Sequence, residues 1–378
     1  MAICRTSFTC LSAIIMLTAS LTACVQQAPP DLVESIESIE RQLTDVNGAQ
    51  FAPDEYLRFV KHWVGLKERL IGDEDLIRWP WEPNQLVADL QQVQAEGEQA
   101  LAESVQRRDA QRLQAETRLA TVEQRFRQFN GHVHIMGSRV VLGKKPLETE
   151  LLVRQARSFF NQGLFSRSDY AGTRAARMMD DQAMILTNEL GHYADERKVE
   201  LWRQMVARTV GWSKRHHAAA IIISKADRRL MLYRNGGRVL TYPVRLGAHG
   251  ILEKRHQDDG ATPEGHYRVI RKRGHGQTPF YPALLLDYPN DADRRRYEEA
   301  RRLRTIPDHA GLGAGIEIHG VDDDLSIATL GSIMLDNDQI DALFERVEVG
   351  TPVTIVGAIR RTNSIALALA ELETSEEG

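Results

Sequence analysis

Apolar residues in the first half of the chain return every third or fourth position. Leu32, Ile36, Ile39, Leu43 and Val46 keep that spacing, which predicts an amphipathic helix. A second helix is predicted from the N-cap candidate Asp54, carrying Leu57, Val60, Val64 and Leu70. Trp79-Pro80-Trp81-Glu82-Pro83 interrupts the pattern, because each proline removes a backbone donor and disfavours helix just before it. From Asn84 to Asn130 a proline-free run rich in Gln, Ala, Glu and Arg follows. As one helix it would extend about 70 Å at about 1.5 Å per residue. Its apolar stripe thins around Gly97 and Arg107-Arg108-Asp109. A coiled-coil-like helix, one arm of a long helical hairpin, and a pair of ordinary helices all fit it. The alternation His132-Val133-His134-Ile135, inside the glycine-containing interval Gly131 to Pro146, predicts a short extended excursion. Its two histidines have no third ligand at metal-site spacing, so no metal is expected. Helices are predicted at 148–162, 167–194 and 196–209.

Near His216 the texture changes. Ala219 to Tyr233 reads as strand, polar turn and strand, Asn235-Gly236-Gly237 turns the chain into Arg238 to Leu246, and Gly and Pro recur at turn spacing to about Val356. The expected fold class is therefore α+β: an all-α, coiled-coil-like helical region over 31–212, then a mostly-β domain with few helices over 216–360. The segment 361–378 is expected to be an acidic tail, helical in part from Ile365 to Leu372.

A chain of 378 residues exceeds what one core usually serves, in keeping with two domains. A net charge of −4 with 26% charged residues leaves no basic footprint for nucleic acid. Arg5 precedes an apolar run from Phe8 to Leu21 that ends at Cys24. This is the pattern of a signal peptide over 1–23 and is short for a membrane span. Leu21-Thr22-Ala23-Cys24 resembles a bacterial lipobox, which implies a diacylated Cys24 at the head of a linker over 24–30 and a membrane anchor in the periplasm. Val25 rather than aspartate after that cysteine implies the outer membrane. Cys4, Cys10 and Cys24 are the only cysteines, so a chain processed at Cys24 has no free thiol to offer.

Five segments in the β-rich region occur in a telling order: Asp259 to Val269 (DGATPEGHYRV), Leu284 to Arg294 (LLLDYPNDADR), Gly315 to Gly320 (GIEIHG), Thr329 to Asn337 (TLGSIMLDN) and Val349 to Val356 (VGTPVTIV). Together they resemble the L,D-transpeptidase (YkuD-type) catalytic domain of the bacterial cell wall, over about 140 residues. The last segment is similar to the family's closing hairpin. The resemblance implies action on peptidoglycan stem peptides with neither metal nor cofactor. It places His319 as the acid and base, Gly331 as the residue that exposes the nucleophile, and Ser332 where the family keeps a cysteine. It further implies substrate contacts for Thr262, Tyr288, Arg294, Gly320 and Thr329, with architecture as the other reading of Thr262 and Tyr288 and a surface arginine beside Arg295 and Arg296 as the other reading of Arg294. The acidic run Asp322-Asp323-Asp324 reads as a solvated loop, with a free amine as its alternative partner. Amide cleavage needs a nucleophile, a base and oxyanion donors. A serine hydroxyl needs the base far more than a self-ionising thiolate does.

Three functional expectations follow. One is acyl transfer or hydrolysis through Ser332 and His319. The other is a silent domain that binds peptidoglycan while the helical region recruits a protein partner. A third gives the helical region the main role, as an arm from membrane to wall.

Overall fold

The computed structural model describes residues 24–25, 28–71, 77–78, 85–137, 139–274, 281–321 and 330–374. The signal-peptide segment 1–23, the Trp79 to Pro83 break, Asp322-Asp323-Asp324 and Thr329 lie outside the described residues. The chain forms two compact units, residues 1–117 and 118–378.

In the first unit, β1 (Cys24–Val25) pairs antiparallel with β2 (Ile77–Arg78). The helices are α1 (Pro30–Asp45), the short α2 (Gly48–Phe51), α3 (Pro53–Ile71) and the opening part of α4 (Gln85–Met136). Ile36, Ile39 and Leu43 of α1 meet Phe59, Trp63 and Leu66 of α3 and Leu86, Leu90 and Val93 of α4 in one apolar core. In α1 and α4 these are positions read from the sequence, but α3 buries Phe59, Trp63 and Leu66 and leaves the expected Leu57 and Val64 exposed; burying that stripe is what makes the helices stable in water. Gly97 thins the stripe for a reason. A Cβ there would lie 2.8 Å from both Ile39 and Phe59 side chains, so glycine lets three helices approach closely.

Helix α4 is continuous for 52 residues and runs past the expected end at Asn130. The extended excursion predicted over 131–146 is replaced by the end of α4, α5 (Arg139–Leu142) and the start of α6 (Lys145–Asn161). Phe129, Val133 and Met136 are buried at spacings of four and three, so the alternation around His132 and His134 is a helical face sampled over too few residues. His132 instead comes within 3.3 Å of Glu371.

The division between the two units falls at Thr117 and Arg118, within the expected helical region over 31–212. The end of α4, together with α7 (Phe165–Leu190), the 3-10 turn Gly191–Tyr193 and α8 (Glu196–His216), shares its core with the β domain. Val122, Met179, Leu186, Tyr193 and Trp202 join Val356, Ala358 and Ile251 in it. Ile365, Leu369 and Leu372 of α11 (Ser364–Thr374) belong to the same cluster, so the acidic tail begins with a docked helix.

The remaining strands are β3 (Ala219–Ser224), β4 (Arg229–Arg234), β5 (Gly237–Pro243), β6 (Gly265–Arg273), β7 (Ala283–Leu286), β8 (Glu317–His319), β9 (Ile333–Met334) and β10 (Pro352–Val356). They form one sheet in the order β5-β4-β3-β10-β6-β7-β8-β9. Val349 to Val356 is thus not a hairpin. It follows α10 (Asn337–Phe344) and delivers β10 to the centre of the sheet, parallel to β3 and antiparallel to β6. Helix α8 packs over β3 and β10, and Thr209 and Thr354 hydroxyls meet at 2.7 Å. A strand covered on both faces reads as an unbroken apolar run, which accounts for Ala219 to Ile223. The sheet curls until its ends meet. Arg245, just beyond β5, donates its N–H to the Met334 carbonyl at 2.9 Å and accepts the Met334 N–H at 2.8 Å.

A buried ion pair fixes the helical segment to this sheet. Lys225 is fully buried. Its ammonium donates to Glu264 at 3.0 Å and to the carbonyls of Leu252 and Thr262 at 2.6 and 3.0 Å. The other Glu264 oxygen accepts the Trp202 indole N–H from α8 at 3.2 Å. All three ammonium donors are used, the condition under which a buried charge is tolerated.

Candidate active site

The site lies where the curled sheet closes. Strands β8 and β9 run parallel, with Ile318 opposite Ile333 and His319 opposite Met334. Ile318 and Ile333 point into the interior of the sheet. Alternation along a strand therefore turns Glu317 and His319, with Ser332 and Met334 across from them, to the other face. This brings His319 and Ser332 together as diagonal neighbours on one surface.

His319 is 3% exposed. Its Nδ1 lies 2.7 Å from the Gly320 carbonyl, and a carbonyl only accepts, so Nδ1 carries the proton and Nε2 is the basic nitrogen. Burial pushes the imidazole below its usual value, while the bond to the Gly320 carbonyl works the other way. The ring is neutral near pH 7, the state a general base needs. The resemblance implies a substrate contact for Gly320. In the structure its carbonyl orients the His319 ring, and an Ile-His-Gly signature holds no hint of that main-chain role. A Cβ on Gly320 would fall 2.6 Å from Asn337 Oδ1, and the same Oδ1 accepts the Val321 N–H at 2.8 Å. The closing asparagine of Thr329 to Asn337 thus pins the chain leaving His319.

The turn before Ser332 is built from close backbone contacts. Gly331 has φ +125, and a Cβ there would meet the Ala261 carbonyl oxygen at 2.5 Å. Gly247 approaches from the other side, where a Cβ would lie 2.7 Å from both N and Cα of Gly331. Gly331 is therefore required by conformation and by space together. The Ser332 hydroxyl oxygen accepts the Glu317 N–H at 3.1 Å, a donor that favours negative charge developing on that oxygen. Glu317 pairs with Arg273 at 2.8 Å; burial raises its carboxyl above the usual range while Arg273 opposes the shift. Nothing in the sequence motifs singled out this ion pair. Its signal was only an acidic residue on a short, otherwise apolar strand.

Three of the other expected contact residues, Thr262, Tyr288 and Arg294, are among the described residues. Thr262 is fully buried; its hydroxyl accepts the Gly247 N–H at 3.4 Å and its carbonyl binds Lys225. Its task is to hold the turn that meets Gly331. Tyr288 donates its hydroxyl to the Leu312 carbonyl at 3.0 Å. Asn290 caps α9 (Asp291–Arg302) in a reciprocal box with Asp293, which explains the Tyr-Pro-Asn and Asp-Arg spacing as architecture. Arg294 is exposed on the first turn of α9, whereas its neighbours Arg295 and Arg296 line a cleft. Thr329 lies outside the described residues. Asp259, at the head of its motif, accepts N–H groups from Arg255, His256 and Ala261. Burial raises its carboxyl, but these bonds and Lys254 outweigh that and hold it below the usual range.

The curled sheet thus carries a histidine and a serine-bearing turn on adjacent parallel strands. Residues 218–355 match the YkuD family model, the L,D-transpeptidase catalytic domain, and form such a domain. Among solved structures, similarity is found to a variant of the helical cell shape determining protein Pgp2 from Campylobacter jejuni, 26% identical over 42% of this chain and 54% of that one, with a TM-score of 0.30. Mycobacterium tuberculosis L,D-transpeptidase 1 is 19% identical over 37% of this chain and 62% of its own, with a TM-score of 0.22. The L,D-transpeptidase of Stackebrandtia nassauensis is 14% identical over 38% and 58%, with a TM-score of 0.26. The chain thus spans between 54% and 62% of the length of these three structures. No curated protein matches it.

Proposed function

We propose that the domain is an acyltransferase or hydrolase of peptidoglycan stem peptides that uses Ser332 as nucleophile and His319 as acid and base. Ser332 Oγ attacks the carbonyl carbon of the scissile amide as His319 Nε2 takes the hydroxyl proton. The same proton then passes to the leaving amine, and an ester to Ser332 remains. An incoming amine or water, deprotonated by His319, attacks that ester and releases the serine. The observation that carries this reading is the His319 Nδ1 bond to the Gly320 carbonyl, which aims a neutral imidazole with its basic nitrogen outward from that bond. A lipid on Cys24 would hold the domain at the periplasmic face of the outer membrane.

A second reading has its own support. The Glu317 N–H to Ser332 Oγ bond also suits a serine that ties β8 to β9 in a domain that binds peptidoglycan without turning it over, with the helical region engaging a protein partner. Mass spectrometry of muropeptides incubated with the full chain separates the two. Product that disappears in Ser332→Ala and His319→Ala supports serine catalysis. No product from the wild type, with product from Ser332→Cys, sinks it in favour of binding.

A further inference from the structure

A cleft of about 410 Å³ opens between residues 253–255, α9 and the segment that follows it, and neither His319 nor Ser332 lines it. Its walls include Tyr288 and Tyr297. Both hydroxyls are committed, to the carbonyls of Leu312 at 3.0 Å and Ala310 at 2.7 Å, so these side chains offer the cleft ring surface rather than donors. Ala300, Leu303 and Leu312 add apolar wall.

The charge on the remaining lining residues does not cancel. Glu253 pairs outward with Lys198 at 3.6 Å and Glu299 with Arg302 at 2.8 Å. Asp293 is taken by Arg296, and Lys254 by Asp259 at 2.8 Å. Arg255 and Arg295 have no side-chain partner among the described residues. Lys254, with 4% of its side chain exposed, donates to Asp259 and to the His256 carbonyl and lies over the Tyr288 ring, 5.8 Å from its centre, so it is committed within the domain. Two unpaired guanidinium groups at an aromatic and apolar cleft suit a ligand with a carboxylate at one end and hydrocarbon behind it. The volume falls within the usual range for small-ligand sites, about 300–1,000 Å³, and an inorganic anion would fill little of it and leave the tyrosine rings unused.

We propose that this cleft binds the free carboxylate end of a short peptide, as a subsite separate from the Ser332 turn, with Arg255 and Arg295 as its carboxylate clamp. The proposal rests on the reading of the domain as one that handles wall peptides, but binding here requires no turnover. Arg294, read from the sequence as either a carboxylate contact or a surface arginine, does not line this cleft, whereas the adjacent Arg295 does.

Calorimetric titration of the full chain with acetyl-D-alanyl-D-alanine, its C-terminal amide and inorganic phosphate provides the test. Saturable binding of the free acid is expected, with the amide weaker by about tenfold or more, and Arg255→Gln or Arg295→Gln each weakening the acid about tenfold. Ser332→Ala is expected to leave the titration unchanged. Absence of saturable binding overturns the proposal, as does binding unaffected by the arginine variants. Phosphate competing as tightly as the peptide overturns the peptide assignment. A chain that binds the acid but turns over no muropeptide refutes the proposed catalysis and leaves the cleft intact.

Discussion

Replacing Lys225 by methionine tests whether the buried ion pair joins the helical segment to the sheet. Methionine keeps most of the side-chain volume, so little cavity is made and the loss is electrostatic. The change strips a 3.0 Å partner from Glu264 and one donor each from the Leu252 and Thr262 carbonyls. Breaking a buried pair by removing one member costs about 3–5 kcal/mol, because the remaining charge is uncompensated. Lys225→Met is expected in that range. Adding Glu264→Gln removes the stranded charge while its amide oxygen can still accept the Trp202 N–H. The double variant is therefore expected to recover roughly 2 kcal/mol, since replacing both members is often close to neutral. Hydrogen exchange of β3 amides across a urea series reads this unit apart from the first. A single-variant cost below about 1 kcal/mol, or a double variant no more stable than the single, would refute the reasoning.

Three further outcomes are expected. Because burial depresses His319, the unfolded chain binds that proton more tightly; the stability this group contributes is full above pH ~6.5 and is lost as pH falls toward the lower folded value. The acid limb of any muropeptide-converting activity should accordingly lie below pH ~6.5, and a limb above it would contradict a buried neutral base. Gly331→Ala combines a positive-φ penalty of about 1–3 kcal/mol with a clash against the Ala261 carbonyl, so the full chain should lose at least about 2 kcal/mol on urea titration; an unchanged midpoint would show that the turn relaxes freely. Asn290→Ala removes the α9 cap and should cost about 0.5–2 kcal/mol, with the gain in exchange confined to the first turn of α9; a loss spread over the sheet would mean that the asparagine does more than cap.

Where the chain could be read in advance, one periodicity dominated each element. The heptad-like spacing of Ile36, Ile39 and Leu43 admits only a helix, and the run Ala219 to Ile223 only a strand covered on both faces. Four residues around His132 fit two periods, and the deciding partners, Met179 and Leu186 of α7, lie far away in sequence. The domain boundary was hidden for a related reason. Trp202 and Tyr193 look like ordinary helix residues until Glu264 and the Ile251 carbonyl supply their partners. At the site, the need for Gly331 was legible because a positive φ and a close approach have glycine as their signature, and the roles proposed for His319 and Ser332 rest on side-chain chemistry. The Gly320 carbonyl and the Arg273–Glu317 pair were not, since a main-chain acceptor has no residue signature and an ion pair depends on which strands become neighbours. Thr262, Tyr288 and Asn290 were recognised as special, but their hydrogen bonds go to backbone groups of the domain itself.

The core that α11 completes has a kinetic consequence. Leu369 and Leu372 fill a cluster that already contains Val122 from α4 and Tyr193 from the turn after α7. A contact closed over so much intervening chain contributes little until that chain is ordered, and such topologies fold slowly. The first unit, whose apolar cluster draws only on residues up to Leu101, can condense early. The second must wait for its final helix. During synthesis the cluster around Tyr193 and Trp202 would therefore stay open until α11 arrives, a timing set by topology alone.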